Sequence, residues 1–309
     1  MSLSDLKRGK PSTPVLLVAG LVLLAGAGRA QAPHRMELPA PQVTLAGDSL
    51  VVPMESWKGI PVVRATLDGR GPFAFVLDSG AHGSVIAKAL ADSLKLPVAG
   101  QVQIGSPLGG KPVPATLVRV ERLAFGKGLR VAFSGVAADL PLDGPERAWS
   151  VLSPREFTGL LVTWDYPGKK VVFRRGSLPA PDGREIFSYE GESLPTVTLE
   201  IAGVSRRAHL DTGSSGGLRL PAGLRDSLPF AAPPVEGRVA KTVDREVKLL
   251  TGRLTGKVAI GRHEFADPEV ELVPFAPVAN VGSRLLKDFE VTLDAGQHRI
   301  QLRRIRAGG

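Results

Sequence analysis

The sequence predicts an all-β protein made of two copies of one unit. Three observations carry this. Short runs alternate apolar and polar residues with the period of a half-buried strand. The chain holds 36 glycines and 26 prolines against 5% aromatic residues, a composition of many turns. And a strand–turn–strand pattern ending in Leu-Asp occurs twice, at Leu77-Asp78 and at Leu210-Asp211.

Taken in chain order, residues 1–30 read as a signal peptide. Lys7, Arg8 and Lys10 precede an uncharged apolar run over residues 15–27, and small residues follow. The run is shorter than the ~20 residues of a membrane-spanning helix. Cleavage after Ala30 is expected, because Pro33 obstructs a cut after Ala32. An uncleaved N-terminal anchor is the alternative. Either way the body is expected to be exported, periplasmic or secreted. Residues 31–44 read as a linker, 45–177 as the first lobe, 178–184 as a Pro/Gly linker and 185–309 as the second lobe.

Within the lobes, residues 61–69 and 195–203 are matching strands that end in a turn glycine. A second strand follows each and runs into Asp78 or Asp211. Near the far ends, residues 161–173 match 289–302 as strand, turn and strand. The near-constant offset at both landmarks argues for tandem duplication. Helical pattern is sparse, with short candidates over 87–96 and 284–289. Residues 101–110 read as a glycine-tipped hairpin, with an equivalent over 238–250 and Asp244 near its tip.

Composition excludes several chemistries. With no cysteine, the chain has no disulfide scaffold, cysteine nucleophile, iron–sulfur cluster or Cys-ligated zinc. The five histidines show no metal-ligand spacing. The net charge is +9, of which about +6 remains after Ala30. Arg299, Arg303, Arg304 and Arg306 cluster at the C-terminus, as a solvated basic face or as a peripheral contact with an anionic envelope surface. No aromatic interleaving supports nucleic-acid binding.

The paired motifs carry the chemistry. Asp78-Ser79-Gly80-Ala81 and Asp211-Thr212-Gly213-Ser214 occupy matching places in the two units. A lone copy is a common turn, in which Asp caps and Gly takes positive φ. Two copies in register would set Asp78 and Asp211 face to face on a shared axis. Carboxylates that close share one proton, so one can activate a water while the other donates to a carbonyl. No metal, cofactor or covalent intermediate is required.

These loops resemble the active-site loops of retropepsin-like and pepsin-like aspartyl proteases. Ala81 is the retroviral choice after the glycine and Ser214 the pepsin choice. The resemblance implies a two-lobed acid-protease fold with the active site between lobes, and catalytic Asp78 and Asp211 supported by Ser79, Gly80, Ala81, Thr212, Gly213 and Ser214. It implies a flap around Gly105, Ser106, Gly109 and Gly110, a peptide or protein substrate, and a monomer supplying both aspartates. Two departures stand out. The family's later signature is two apolar residues and a glycine. Here Ser153 takes the glycine position in the first lobe and Asn280 an apolar position in the second. The leading expectation is therefore an exported aspartic endopeptidase. The alternative is a weak or inactive peptide-binding protein with the same fold.

Overall fold

The computed structural model describes residues 15–16, 22–25, 39–105, 112–139, 150–190, 194–241 and 246–305. Its strands form one ten-stranded sheet for each lobe and a six-stranded sheet that both lobes share. This is the two-lobed arrangement the duplication predicts.

Each lobe is organised around one hairpin. In the first, Leu67 pairs with Arg70 across Asp68-Gly69, whose φ values are +50° and +81°. In the second, Ile201 pairs with Val204 across Ala202-Gly203, at +51° and +77°. Two positive φ values in a two-residue loop match the right-handed twist of the flanking strands. The outgoing strands, Arg70–Leu77 and Val204–Asp211, end deep in the lobes because Val76, Leu77 and Leu210 are buried. A late strand returns parallel to each of them, Ser150–Leu152 in the first lobe and Ala279–Gly282 in the second.

The six-stranded sheet is laid out as three strands from each half. Its order is Ile186–Ser188, Arg299–Arg304, Phe289–Asp294, Leu160–Asp165, Lys170–Arg175 and Ser49–Pro53. At its centre Thr163 pairs with Thr292, and their hydroxyls are 2.8 Å apart. These are equivalent positions of the two units, so the pseudo-two-fold axis passes between them. The fully buried Trp164 extends from this sheet and donates its indole N–H to Leu77 O at 3.1 Å. That bond ties the shared sheet to the strand that delivers Asp78.

Short helices form at Lys88–Leu94 and Ser283–Leu286, close to the expected places, and 3-10 turns at Pro154–Phe157 and Ala222–Ser227 were not legible in the pattern. Both expected hairpins are present. Val98–Gly105 pairs with Val113–Phe125, and Val235–Lys241 with Glu246–Arg253. Gly105 closes the first of these strands, whereas Ser106, Gly109, Gly110 and Asp244 lie outside the described residues. Near the N-terminus, Val15–Leu16 pairs with Ala240 and Lys241, and Val22–Ala25 pairs with residues 102–105. These two strands thus meet one hairpin of each lobe. Gln42–Leu45, at the end of the expected linker, is a strand paired with Leu129–Ala138.

The basic C-terminal strand is engaged within the molecule. Arg299 donates to Leu178 O at 2.7 Å, Arg303 pairs with Glu290, and Arg304 lies 4.8 Å from the Phe289 ring centroid. Arg306 lies outside the described residues.

Candidate active site

The two Asp-Ser/Thr-Gly loops meet on the pseudo-two-fold axis and are locked by four reciprocal hydrogen bonds. Ser79 N donates to Thr212 Oγ1 at 2.9 Å, and Thr212 N to Ser79 Oγ at 3.0 Å. Ser79 Oγ donates to Leu210 O at 2.7 Å, and Thr212 Oγ1 to Leu77 O at 2.9 Å. Each hydroxyl therefore accepts from one loop and donates to the strand behind it. All four bonds are buried, where an unmade one leaves a costly orphan.

The glycines set the spacing of the aspartates. A Cβ on Gly80 would lie 2.7 Å from Asp211 Cγ, and one on Gly213 only 2.3 Å from Asp78 Cγ. Each carboxyl thus sits against the opposite lobe's glycine, a place no larger residue can share. Asp78 is 0% and Asp211 1% exposed. Asp78 Oδ1 accepts from Gly80 N at 2.7 Å and Gly213 N at 3.0 Å. Asp211 Oδ2 accepts from Asn280 Nδ2 at 2.7 Å. The other oxygens, Asp78 Oδ2 and Asp211 Oδ1, are buried and have no hydrogen-bond partner. Burial, then the charge of Asp211, push Asp78 well above the usual carboxylate range, against the pull of the Gly80 and Gly213 N–H groups. The site therefore holds two buried carboxyls, each with one oxygen fixed by hydrogen bonds and one without a hydrogen-bond partner.

The model of the family described as "Aspartyl protease" matches residues 63–148, which include Asp78 and the first hairpin. Over those residues the first lobe is similar to the aspartyl protease family. Among solved structures, the aspartic proteinase from Irpex lacteus is similar in fold, with a TM-score of 0.54 and 13% identity. That similarity covers 83% of this chain and 97% of the other. No curated protein matches the chain in sequence. The acid-protease fold thus spans both lobes.

Both departures from the family signature have a physical place. Ser153 is fully buried, donates its hydroxyl to Ala81 O at 2.7 Å, and its N–H donates to Ser84 Oγ at 3.0 Å. It braces the Asp78 loop where a glycine was expected. In the second lobe a Cβ at Gly282 would lie 2.4 Å from Gly216 O, so the glycine is required there. Its neighbour Ser283 does the bracing, donating to Thr212 O at 2.6 Å and contacting Tyr166 Oη at 2.8 Å. Asn280, the second departure, is the group that touches Asp211.

Other residues of the site were not evident from the pattern. Ser214 Oγ is bonded to Arg219, whose Nε donates to Glu271 at 2.9 Å. Arg238 from the second hairpin also pairs with Glu271. Behind Asp78, Glu156 accepts from Ser84 Oγ at 3.0 Å and Ser84 N at 3.3 Å. Burial pushes the Glu156 carboxyl up to about 7, against those two bonds and the charge of Arg155. Arg219 sits in a strand that alternates like any other, and only the pairing of distant strands places it inside. His82 and His209 flank the loops, and burial lowers the His209 pKa.

Proposed function

We propose that the chain is an exported aspartic endopeptidase. The observation that carries this reading is the pair of buried oxygens without a hydrogen-bond partner, Asp78 Oδ2 and Asp211 Oδ1, on carboxyls that each lie against the opposite loop's glycine. A water held between them is activated by the ionised partner, while the protonated partner donates to the scissile carbonyl. The raised Asp78 pKa suits the proton-bearing role, and the amide N–H donated to Asp211 suits a carboxylate. The water oxygen bonds to the carbonyl carbon as its proton passes to Asp211. The Asp78 proton passes to the carbonyl oxygen, giving a neutral gem-diol. On collapse Asp211 returns its proton to the leaving nitrogen, the C–N bond breaks, and one diol proton goes back to Asp78.

Supporting this reading, each lobe offers a hairpin with an edge able to take an extended strand, as the pairing of residues 15–16 and 22–25 illustrates. Export rests on the basic start and apolar run of the leader. Incubation with a mixed peptide library between pH 3 and 8, read by mass spectrometry, tests the activity. Wild type is expected to cut, and Asp78→Asn and Asp211→Asn are expected not to. Equal cutting by all three overturns the mechanism. N-terminal sequencing of the protein from the envelope fraction tests export, with Gln31 expected as the first residue. An intact Met1 in the soluble cell interior contradicts it.

A further inference from the structure

The duplication lets one lobe serve as the control for the other. In the first lobe, five residues on adjacent strands form a single cross-strand row. Val76 pairs with Val151, Val151 with Val85, Val85 with Val136, and Val136 with Leu117. All five are apolar and at most 4% exposed. The matching row of the second lobe runs through the equivalent pairings as His209, Asn280, Arg219, Glu271 and Thr251. Every apolar position has become polar. Directly paired residues share one face of a sheet, and each row begins two residues before a catalytic aspartate. The polar row therefore lies against the dyad, as the bond from Asn280 Nδ2 to Asp211 Oδ2 shows.

Stability does not account for the change. Arg219 is 1%, Glu271 2% and Asn280 8% exposed, and desolvating an ion pair that deeply offsets much of its attraction. The first lobe builds the same architecture with valines. Nor is the bonding capacity of the row used up. Arg219 directs Nε to Glu271 and Nη1 to Ser214, but its Nη2 has no partner. Asn280 gives its N–H to Asp211 and leaves Oδ1 without one. These two residues are cross-strand partners, so an unpaired buried donor and an unpaired buried acceptor belong to neighbouring side chains, one of which bonds Asp211.

We propose that this row is a specificity pocket for a substrate side chain bearing a carboxamide, glutamine or asparagine, on the second lobe's side of the scissile bond. This rests on the peptidase reading above and names its substrate class. A carboxamide oxygen accepts from Arg219 Nη2, and its N–H donates to Asn280 Oδ1. A carboxylate would set an oxygen against Asn280 Oδ1. An aliphatic side chain would leave both groups unpaired, the circumstance in which polar sites reject isosteres most strongly.

Peptides identical except for Gln, Glu, Leu or Met at one position flanking the cut test this, read both as binding by fluorescence anisotropy and as kcat/KM. Wild type is expected to favour the Gln peptide by roughly tenfold or more in both measurements. Asn280→Val, which copies the first lobe, also removes the N–H that Asp211 accepts, so turnover of every peptide is expected to fall, and the Gln-to-Leu ratio in binding is expected to drop to about one. Arg219→Met should act likewise, and if it does not fold, Asn280→Val alone decides. A wild-type preference for Leu or Glu, no preference at all, no binding of any peptide, or a Gln preference that survives Asn280→Val overturns the pocket. Preferential binding without cleavage upholds the pocket and overturns the peptidase reading. Cleavage without the preference does the reverse.

Discussion

Glu156 is a buried acid with no part in the proposed reaction, and its removal should stabilise the protein at neutral pH. Its carboxyl, 6% exposed, is pushed up to about 7, and burial is the main cause. In the unfolded chain the same group titrates near its ordinary value of 4.5. At pH 4 both states hold the proton and the group is neutral to folding. As the pH rises, the unfolded state releases its proton first, so stability is lost between about 4.5 and 7. The gap between those values corresponds to about 3 kcal/mol. Glu156→Gln keeps the acceptor oxygen that Ser84 uses and cannot ionise. The variant should match wild type at pH 4 and exceed it by about 3 kcal/mol at pH 8, a midpoint difference of roughly 6–12 °C. Thermal scans of both proteins across pH 4–8 measure this directly. A difference that stays constant with pH, or narrows as pH rises, refutes the reasoning.

Three further outcomes follow from the site. Asp78→Asn keeps Oδ1 for the Gly80 and Gly213 N–H groups and offers a new N–H to Asp211 Oδ1, so thermal scans should show a midpoint a few degrees above wild type at pH 7, with the gap closing below about pH 4. Gly213→Ala places a methyl where the Asp78 carboxyl stands, and should abolish peptide cleavage and cost about 1–3 kcal/mol in denaturant titration. Ser153→Gly restores the family residue but strips Ala81 O of its donor, and should lower stability by about 1–2 kcal/mol.

Much of this site was legible because its determinants are local. The Asp-Ser/Thr-Gly loops, the two-residue turns and the hairpins each follow from adjacent residues, and the duplication placed Asp78 opposite Asp211. Ser153 was readable as a departure but not as a brace, because its partner Ala81 lies on a distant segment. The same holds for Trp164, which reaches Leu77 from another sheet. The polar row was hidden for a related reason. His209, Asn280, Arg219 and Glu271 become neighbours only through the register of strands far apart in sequence. Arg219, alternating with leucines, looks like an outward-facing strand residue until a parallel partner covers it.

The central claim is that the two aspartates act as one catalytic unit, and single-site additivity tests it most directly. kcat/KM on one cleaved peptide would be measured for wild type, Asp78→Asn, Asp211→Asn and the double variant. If each carboxyl is useless without the other, both single variants lose nearly all activity and the double variant is no worse than either. Substantial activity in either single variant, or losses that multiply in the double, would contradict a shared dyad.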